Sequence, residues 1–213
     1  MTLNNRLSPP KKLIGDTPQE IVENVYKDFY SIFMKKDSRD FFNDKFIFFS
    51  MNKRFRNMEL PYPERFMHLC SIRDKTKYNI FPCNNDITFT ICENKCSYRK
   101  ALSPFYNIGR IECPYRMSRI HWIPEIISLH NNGSAYIKKF TKQKLNPKTN
   151  LVENIIFLRY VDDQHDYVVL LVEDKDRTGK LIKYNFLTAY PVFFKRNKSE
   201  FDKLYEKELT KNK

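Results

Sequence analysis

The chain has 213 residues, a formal net charge of +13 and 41% hydrophobic residues. This hydrophobic content excludes a wholly disordered chain, and no apolar run approaches the roughly 20 residues that span a bilayer. Met1 to Lys12 contain no apolar segment typical of a signal peptide. We therefore expect no membrane span and a cytoplasmic protein, unless a separate route delivers it to another cell.

The basic composition predicts an acidic partner. The chain carries 38 Lys and Arg against 25 Asp and Glu. Nucleic acid, anionic lipid and acidic proteins all fit such a charge, and we favour nucleic acid. The alternative is a surface of solvated lysines in a chain whose composition is biased toward Lys, Asn, Ile and Phe.

The first half of the chain predicts one long helix and several shorter elements. Residues 1–15 predict a loose arm. Thr17 as the cap and Pro18 at the first helical position predict a helix that ends near Lys35. The segments that follow are a strand over Phe46 to Met51, a strand over Phe55 to Leu60 that pairs with it, a short helix or turn over Glu64 to Ser71, a strand over Asp86 to Cys92, and an irregular stretch to Met117.

The next residues predict a helix, a strand and a loop. Ser118 is predicted to cap a helix over Arg119 to Leu129, which Asn131-Asn132-Gly133 ends. A short strand or turn over Ala135 to Phe140 and a polar loop over Gln143 to Leu151 follow.

Three aromatic and β-branched runs predict an antiparallel meander over Asn154 to Asp162, Tyr167 to Asp174 and Lys183 to Phe194. Short polar connectors join the runs, as in hairpins. The middle run is apolar without alternation, so it should be covered on both faces. Pro191 cannot donate to a ladder, so the far half of the third strand should be an edge, a bulge or an exit. Ser199 to Leu209 predict a final helix.

These elements predict an α+β fold, with helices packed on an antiparallel sheet that includes a C-terminal three-stranded meander. We divide the chain into a flexible arm over residues 1–15, a helix and strand region over 16–113, and a C-terminal part over 114–213. The first 113 residues are a second domain, a delivery segment or part of one fold.

The five cysteines are an odd number, which does not fit a simple disulfide framework. Four of them are close enough in sequence to be zinc ligands: Cys83, Cys92, Cys96 and Cys113. Their spacing contains no CxxC pair, and Cys92 lies in a strand pattern where a cysteine packs as an apolar residue. We therefore predict no cofactor and keep a zinc-stabilised binding module as an alternative.

Two histidines are candidates for chemistry. His121 lies at a predicted helix start, beyond the basic residues Arg110 and Arg116, and a helix N-terminus near arginines binds phosphate. The alternative is that the neighbouring Trp122 packs inward and the segment is structural. His68 lies in an apolar run and is either a structural histidine or part of a second site.

Polar side chains share one face of the predicted meander. Thr188 and Tyr190 lie on the same face by the period of two, and Arg159 on the first strand can project to that face. A hydroxyl, a phenol and a guanidinium together can bind a phosphate. An ordinary half-polar sheet face explains the same pattern.

Three short motifs follow one another in a recognisable order. They are Arg119-Ile120-His121-Trp122-Ile123, then Tyr167-Val168-Val169-Leu170-Leu171, then Phe186-Leu187-Thr188-Ala189-Tyr190-Pro191. Over residues 114–213 this order resembles the R-I-x-W-I, Y-V-V-V and F-x-T-A-Y-P-V pattern of the barnase, EndoU, colicin-type and RelE superfamily of phage and toxin ribonucleases. In addition, Phe66-Met67-His68-Leu69 resembles an F-x-H-L motif of phage members.

The resemblance implies a helix or two packed on a small antiparallel sheet whose concave face binds RNA. By position it implies active-site roles for Arg119, Thr188 and Tyr190, whereas His121 stands where the family usually has proline. It therefore implies a metal-independent endoribonuclease that uses the RNA 2′-hydroxyl and does not cleave DNA.

In this hypothesis Arg119 and Arg159 hold the phosphate, His121 is the base or acid, and Thr188 and Tyr190 orient the substrate. Further RNA contacts are predicted at Arg110, Arg116 and Lys183. The resemblance also implies an acidic inhibitor or immunity protein as a partner, because many superfamily members have inhibitors. The rival hypothesis is a noncatalytic basic protein that binds nucleic acid or an effector.

Overall fold

The computed structural model describes residues 6–34, 41–55, 57–73, 105, 108–147 and 150–211. The chain forms two compact units. The sheet unit consists of residues 1–7, 40–49 and 123–213, and the helical unit consists of residues 8–39 and 50–122. This division differs from the predicted one, because residues 114–122 belong with the N-terminal segments and residues 40–49 belong with the C-terminal strands.

The secondary structure of the described residues mixes helices and strands along the chain. In order, the elements are α1 (Pro18–Phe33), β1 (Phe41–Phe42), β2 (Lys45–Phe48), β3 (Arg54–Phe55), β4 (Met58–Glu59), α2 (Glu64–Cys70), β5 (Ser71–Arg73), β6 (Arg110–Glu112), α3 (Pro114–Met117), α4 (Trp122–Asn131), β7 (Ile137–Leu145), β8 (Val152–Val161), β9 (Asp166–Lys175), β10 (Leu181–Pro191) and α5 (Lys195–Lys211). None of the helices in the described part of the chain is long and apolar enough to cross a membrane.

The sheet unit contains a six-stranded sheet in the order β1-β2-β10-β9-β8-β7. Its neighbouring strands are antiparallel except for β2 and β10, which are parallel. The predicted α+β fold and the meander of β8, β9 and β10 are confirmed. The middle strand is buried continuously from Tyr167 to Leu171, as expected for a strand covered on both faces.

The register of the meander defines which side chains lie on the same face of the sheet. Arg159 pairs with Val168, which pairs with Tyr190, so these three residues share a face. Phe157, Leu170 and Thr188 form the adjacent row. This face is covered by α5, whose Phe201 ring centroid lies 5.4 Å from that of Phe157.

The far half of β10 begins with a bulge, one of the three outcomes predicted for it, and Thr188 to Pro191 then pair regularly with Leu170 to Tyr167. A register shift between Phe186 and Thr188 marks a β-bulge, which leaves Leu187 without a directly opposite residue on β9. The segment that pairs with β2 is the first half of β10, through Tyr184 and Asn185. The predicted polar loop before the meander is shorter than expected, because β7 extends to Leu145.

The helical unit begins with α1, whose start follows its sequence signal. The Thr17 hydroxyl accepts from the Glu20 backbone N–H at 3.2 Å, and the Glu20 carboxylate accepts from the Asp16 N–H at 2.8 Å. The ring of Phe66 on α2 packs 5.2 Å from Phe29 of α1 and 5.0 Å from Tyr26. These aromatic contacts fix α2 against α1.

Two predictions within the helical unit are wrong. Phe55 to Leu60 does not pair with β2, since β3 and β4 pair with each other instead. Ser118 does not cap the following helix but ends α3, where its hydroxyl donates to the Tyr115 carbonyl at 3.2 Å. Pro114 begins α3 one turn before the predicted start, so α4 begins only at Trp122. The predicted strand over residues 86–92 lies outside the described residues.

The N-terminal arm is packed where it is described, rather than loose as predicted. Trp122 Nε1 donates to the Ser8 carbonyl at 2.8 Å, and His121 Nε2 lies 3.1 Å from the Pro9 carbonyl oxygen. The Lys11 backbone N–H donates to the Ser118 carbonyl at 2.8 Å. Trp122 is almost fully buried, so its indole N–H needs such an acceptor.

Candidate functional site

The helix α2 presents His68 on its outer side. Its neighbours Met67 and Leu69 are buried, whereas 35% of the His68 side chain is exposed. Glu64, one turn earlier, places a carboxylate oxygen 3.7 Å from His68 Nε2. A side chain held on a packed helix with a solvent-accessible ring is well placed for chemistry on a bound ligand.

Two arginines from one segment, far along the chain from α2, bind at the C-terminal end of that helix. Arg110 Nε donates to the Ser71 hydroxyl at 2.6 Å, and its Nη2 donates to the Ser71 carbonyl at 2.9 Å. The Ser71 hydroxyl in turn donates to the Met67 carbonyl. Arg116 Nη1 donates to the His68 carbonyl at 3.4 Å. The C-terminal end of α2 therefore holds two guanidinium groups beside His68.

The pairing of β5 with β6 explains how these residues meet. Ser71 lies opposite Glu112, and Arg73 lies opposite Arg110. The cross-strand pair brings together two cations that are far apart in sequence. Like charges in directly opposite positions are destabilising, and such unfavourable electrostatics are typical of functional sites.

Burial and four cations depress the basicity of His68. Burial lowers its pKa most, and the charges of Arg110, Arg65, Arg73 and Arg116 lower it further, to about 4. The carboxylate of Glu64 does not offset these effects. His68 is therefore neutral at pH 7 and can accept a proton. The pKa of Arg110 is lowered to about 10 by burial and by Arg116 and Arg73, so Arg110 remains charged at that pH.

We name the group formed by His68, Arg65, Arg73, Arg110 and Arg116 the His68 cluster. The sequence pointed to three of its members, His68, Arg110 and Arg116, but in separate roles. Arg65 and Arg73 were missed, although they flank His68 on either side in a run of nine residues. The sequence feature that could have identified Arg65 and Arg73 is the high density of arginine around a histidine on a predicted helix.

The predicted phosphate ligand Arg119 is fully buried in the turn between α3 and α4. Its guanidinium carbon lies 3.6 Å from the Tyr115 ring centroid and 4.9 Å from that of Trp122. Its Nη1 donates to the Tyr115 carbonyl at 2.8 Å and to the Ser118 hydroxyl at 3.0 Å. These contacts fix the turn that carries His121, which is itself 8% exposed and bonded to the arm.

The predicted sheet residues belong to the other unit. Arg159 is 2% exposed and donates to Asp166 Oδ2 at 2.7 Å and to Asp202 Oδ1 at 2.9 Å. Burial alone would lower the pKa of Arg159, but its bonds to Asp166 and Asp202 raise it. Thr188 and Tyr190 lie half-buried on the face under α5, where Tyr190 packs against the core.

Lys183 lies at the opposite end of β10 from Tyr190. Its ammonium nitrogen is 3.5 Å from Asp174 and 4.8 Å from the Phe48 ring centroid. Arg159, Thr188 and Tyr190 share their face, but Arg119 and His121 lie in the helical unit. The structure thus brings together His68, Arg110 and Arg116, and separately Arg159 with Thr188 and Tyr190.

The cysteines in the described part of the chain are buried thiols. Cys70 and Cys113 are both buried, and the Cys113 N–H donates to the Cys70 carbonyl at 2.7 Å. Burial, with a smaller effect of Cys113, raises the pKa of Cys70 well above its usual value. The other proposed zinc ligands, Cys83, Cys92 and Cys96, lie outside the described residues. Within those residues, no group of three or more His, Cys, Asp or Glu could hold a metal.

Comparisons of the chain with models of protein families, with curated proteins and with solved structures found no match.

Proposed function

We propose that the protein is a metal-independent ribonuclease and that the His68 cluster carries the reaction. The observation on which this rests is the partly exposed imidazole of His68 on α2, with the guanidinium groups of Arg110 and Arg116 both at the carbonyl of the same residue. The basic charge of the chain and the resemblance of Phe66-Met67-His68-Leu69 to the F-x-H-L motif support the same function.

The chemistry needs a base and cations. His68 takes the proton of a ribose 2′-hydroxyl, and the 2′-oxygen attacks the adjacent phosphorus. The bond from phosphorus to the 5′-oxygen breaks, which leaves a 2′,3′-cyclic phosphate, and the departing oxygen takes a proton from solvent. Arg65, Arg73 and Arg116 stabilise the charge that develops on the phosphate oxygens. Because the reaction needs the 2′-hydroxyl, DNA is not cleaved.

Arg110 has a different part in this proposal. The residue is 9% exposed, and its guanidinium is bound to both oxygen atoms of Ser71. It positions the strand that carries Arg73 and depresses the pKa of His68. We place the base at His68 rather than at His121, because His121 is buried and bonded to Pro9.

The test is cleavage of a single-stranded RNA by the full chain in EDTA, with the matching DNA as the negative substrate. His68→Gln should slow cleavage by about 10²-fold, the lower end of the range for one general base, because the pKa of His68 lies well below the working pH. His165→Gln, a histidine substitution in the sheet unit, is the matched control and should leave the rate unchanged.

Three outcomes would contradict the proposal. RNA that is bound but stays intact identifies a noncatalytic nucleic-acid-binding protein. Cleavage that needs an added divalent metal excludes the metal-independent reaction. Equal rates for His68→Gln and the parent protein exclude His68 as the base.

A further inference from the structure

A half-open cavity of about 300 Å³ lies beside the N-terminal arm in the helical unit. Its floor consists of side chains from three places in the sequence: the buried Leu13 of the arm, Val25 of α1, and Met117 and Ile120 around the turn after α3. The size is at the lower limit of the ~300–1,000 Å³ of small-molecule sites, so one ring system fits.

Hydrogen bonds hold the walls of this cavity in place. The Lys11 N–H donates to the Ser118 carbonyl at 2.8 Å, which ties the arm to the turn. Asn24 Nδ2 donates to the Ile14 carbonyl at 3.0 Å, which ties the arm to α1. The cavity is therefore formed before any ligand binds, and little ordering is needed on binding.

The rim of the cavity is cationic. Lys11, Lys12 and Lys27 line it, and Asp28 pairs with Lys11 at 3.2 Å. Two lysines remain in excess over the one acidic residue of the lining, beside the amide of Asn24. Apolar walls under an excess of positive charge fit a flat apolar group that carries an anion.

The cavity and the His68 cluster share the helix α3. Arg116 on α3 reaches the His68 carbonyl at 3.4 Å, whereas the next residue, Met117, lines the cavity. Both sites lie in the helical unit. The two sites therefore meet at one helix of four residues.

We propose that this cavity binds one unstacked base of a single-stranded RNA substrate, with Lys12 and Lys27 at the phosphate beside it. The inference rests on the proposed ribonuclease function and names its substrate class. Single-stranded RNA offers bases that can leave the stack and enter an apolar site, and its backbone supplies the anion. A base in this cavity fixes which phosphate reaches His68.

The experiment measures steady-state RNA cleavage by three variants of the full chain, each first shown to be folded by circular dichroism. Ile32→Trp fills the cavity, and Lys12→Ala with Lys27→Ala removes the charge of its rim. The matched control is Lys203→Ala with Lys207→Ala, which removes two exposed lysines from α5.

Both cavity variants should raise KM roughly tenfold, the loss expected for one base contact, with kcat within about twofold of the parent. The control should change neither. A nucleoside monophosphate should compete with RNA in the parent protein but not in Ile32→Trp. An unchanged KM in both cavity variants overturns the inference.

Further measurements distinguish a failure of this inference from a failure of the ribonuclease proposal. If the parent protein does not cleave RNA, the same variants are compared by equilibrium binding of single-stranded RNA and of the nucleoside monophosphate. Lost binding in Ile32→Trp then supports the cavity although the enzyme proposal has failed. Displacement of RNA by decanoate and not by the monophosphate identifies a site for amphipathic anions and overturns the base-binding assignment.

Discussion

Arg159 in the sheet unit and Arg110 in the helical unit are both buried, but they meet different acceptors. Arg159 donates to the carboxylates of Asp166 and Asp202. Arg110 donates to the two oxygen atoms of Ser71, which are neutral. A buried ion pair cancels charge and holds elements together, whereas the bonds of Arg110 to Ser71 join β6 to the end of α2. The sequence does not distinguish the roles of these two arginines. Their hydrogen-bond acceptors in the structure do.

The largest effect should come from breaking the structural ion pair. Arg159→Met leaves Asp166, whose side chain is 7% exposed, without its main cation. We expect the free energy of unfolding to fall by about 3–5 kcal/mol, as for other broken buried pairs. Urea unfolding measures this change. If stability is unchanged and RNA cleavage is lost, Arg159 has the phosphate-binding role that we first predicted.

Arg119→Ala should destabilise the helical unit rather than remove a catalytic group. The guanidinium lies over two aromatic rings, and a desolvated contact of this kind contributes up to about 2 kcal/mol. We expect a loss of roughly 2 kcal/mol or more in thermal unfolding. Folded protein should keep its kcat. A variant of full stability with a large loss of kcat would restore Arg119 as the phosphate ligand.

The charge of the His68 cluster can be tested by the pH dependence of cleavage. With the pKa of His68 at about 4, the base is active above that pH, and the rate should fall as the pH drops below it. Arg73→Ala removes one cation, so the His68 pKa should rise and the acid limb should move to higher pH. A limb that does not move would show that Arg73 does not act on His68. Arg177→Ala, on a polar connector of the sheet unit, is the control.

The smallest effect should come from Asp202. Burial would raise its pKa, but the bonds and charges of Lys138 and Arg159 outweigh burial and lower it below the usual value. The stability it contributes is therefore present above the unfolded pKa of 3.8 and is lost as the pH falls through the folded value. Because the side chain is 44% exposed, we expect less than about 1 kcal/mol. In Asp202→Asn the free energy of unfolding should fall less steeply as the pH is lowered through the acid range. A pH dependence equal to that of the parent protein would contradict this contribution.

The sequence predicted the parts of the fold that depend on local pattern. The meander follows from three β-branched runs, and α1 follows from Thr17 and Pro18. The shared face of Arg159 and Tyr190 also follows the period of two, because the bulge lies before Thr188 and does not separate it from Tyr190. The final helix was also predicted, but the sequence pattern did not indicate that this helix covers the face that carries Arg159 and Tyr190.

The His68 cluster depends on contacts that no local pattern reveals. Arg110 reaches Ser71 only because β5 and β6 pair across a long stretch of chain. Likewise, the start of α4 was misplaced because Cys113 and Pro114 begin a separate turn of helix, which places Ser118 at its end. The partners of Arg119 and Arg159 decide their roles, and a single sequence does not specify those partners.

The parallel pairing of β2 with β10 has a consequence for the order in which the protein folds. Ile47 pairs with Tyr184, so β2 leaves the ribosome long before the strand beside which it lies is made. The segments of the helical unit are all complete by residue 122. We expect the His68 cluster to assemble during synthesis, while the sheet closes only after the chain is nearly finished. A fragment that begins at residue 114 lacks β2 and leaves the edge of β10 open to other chains.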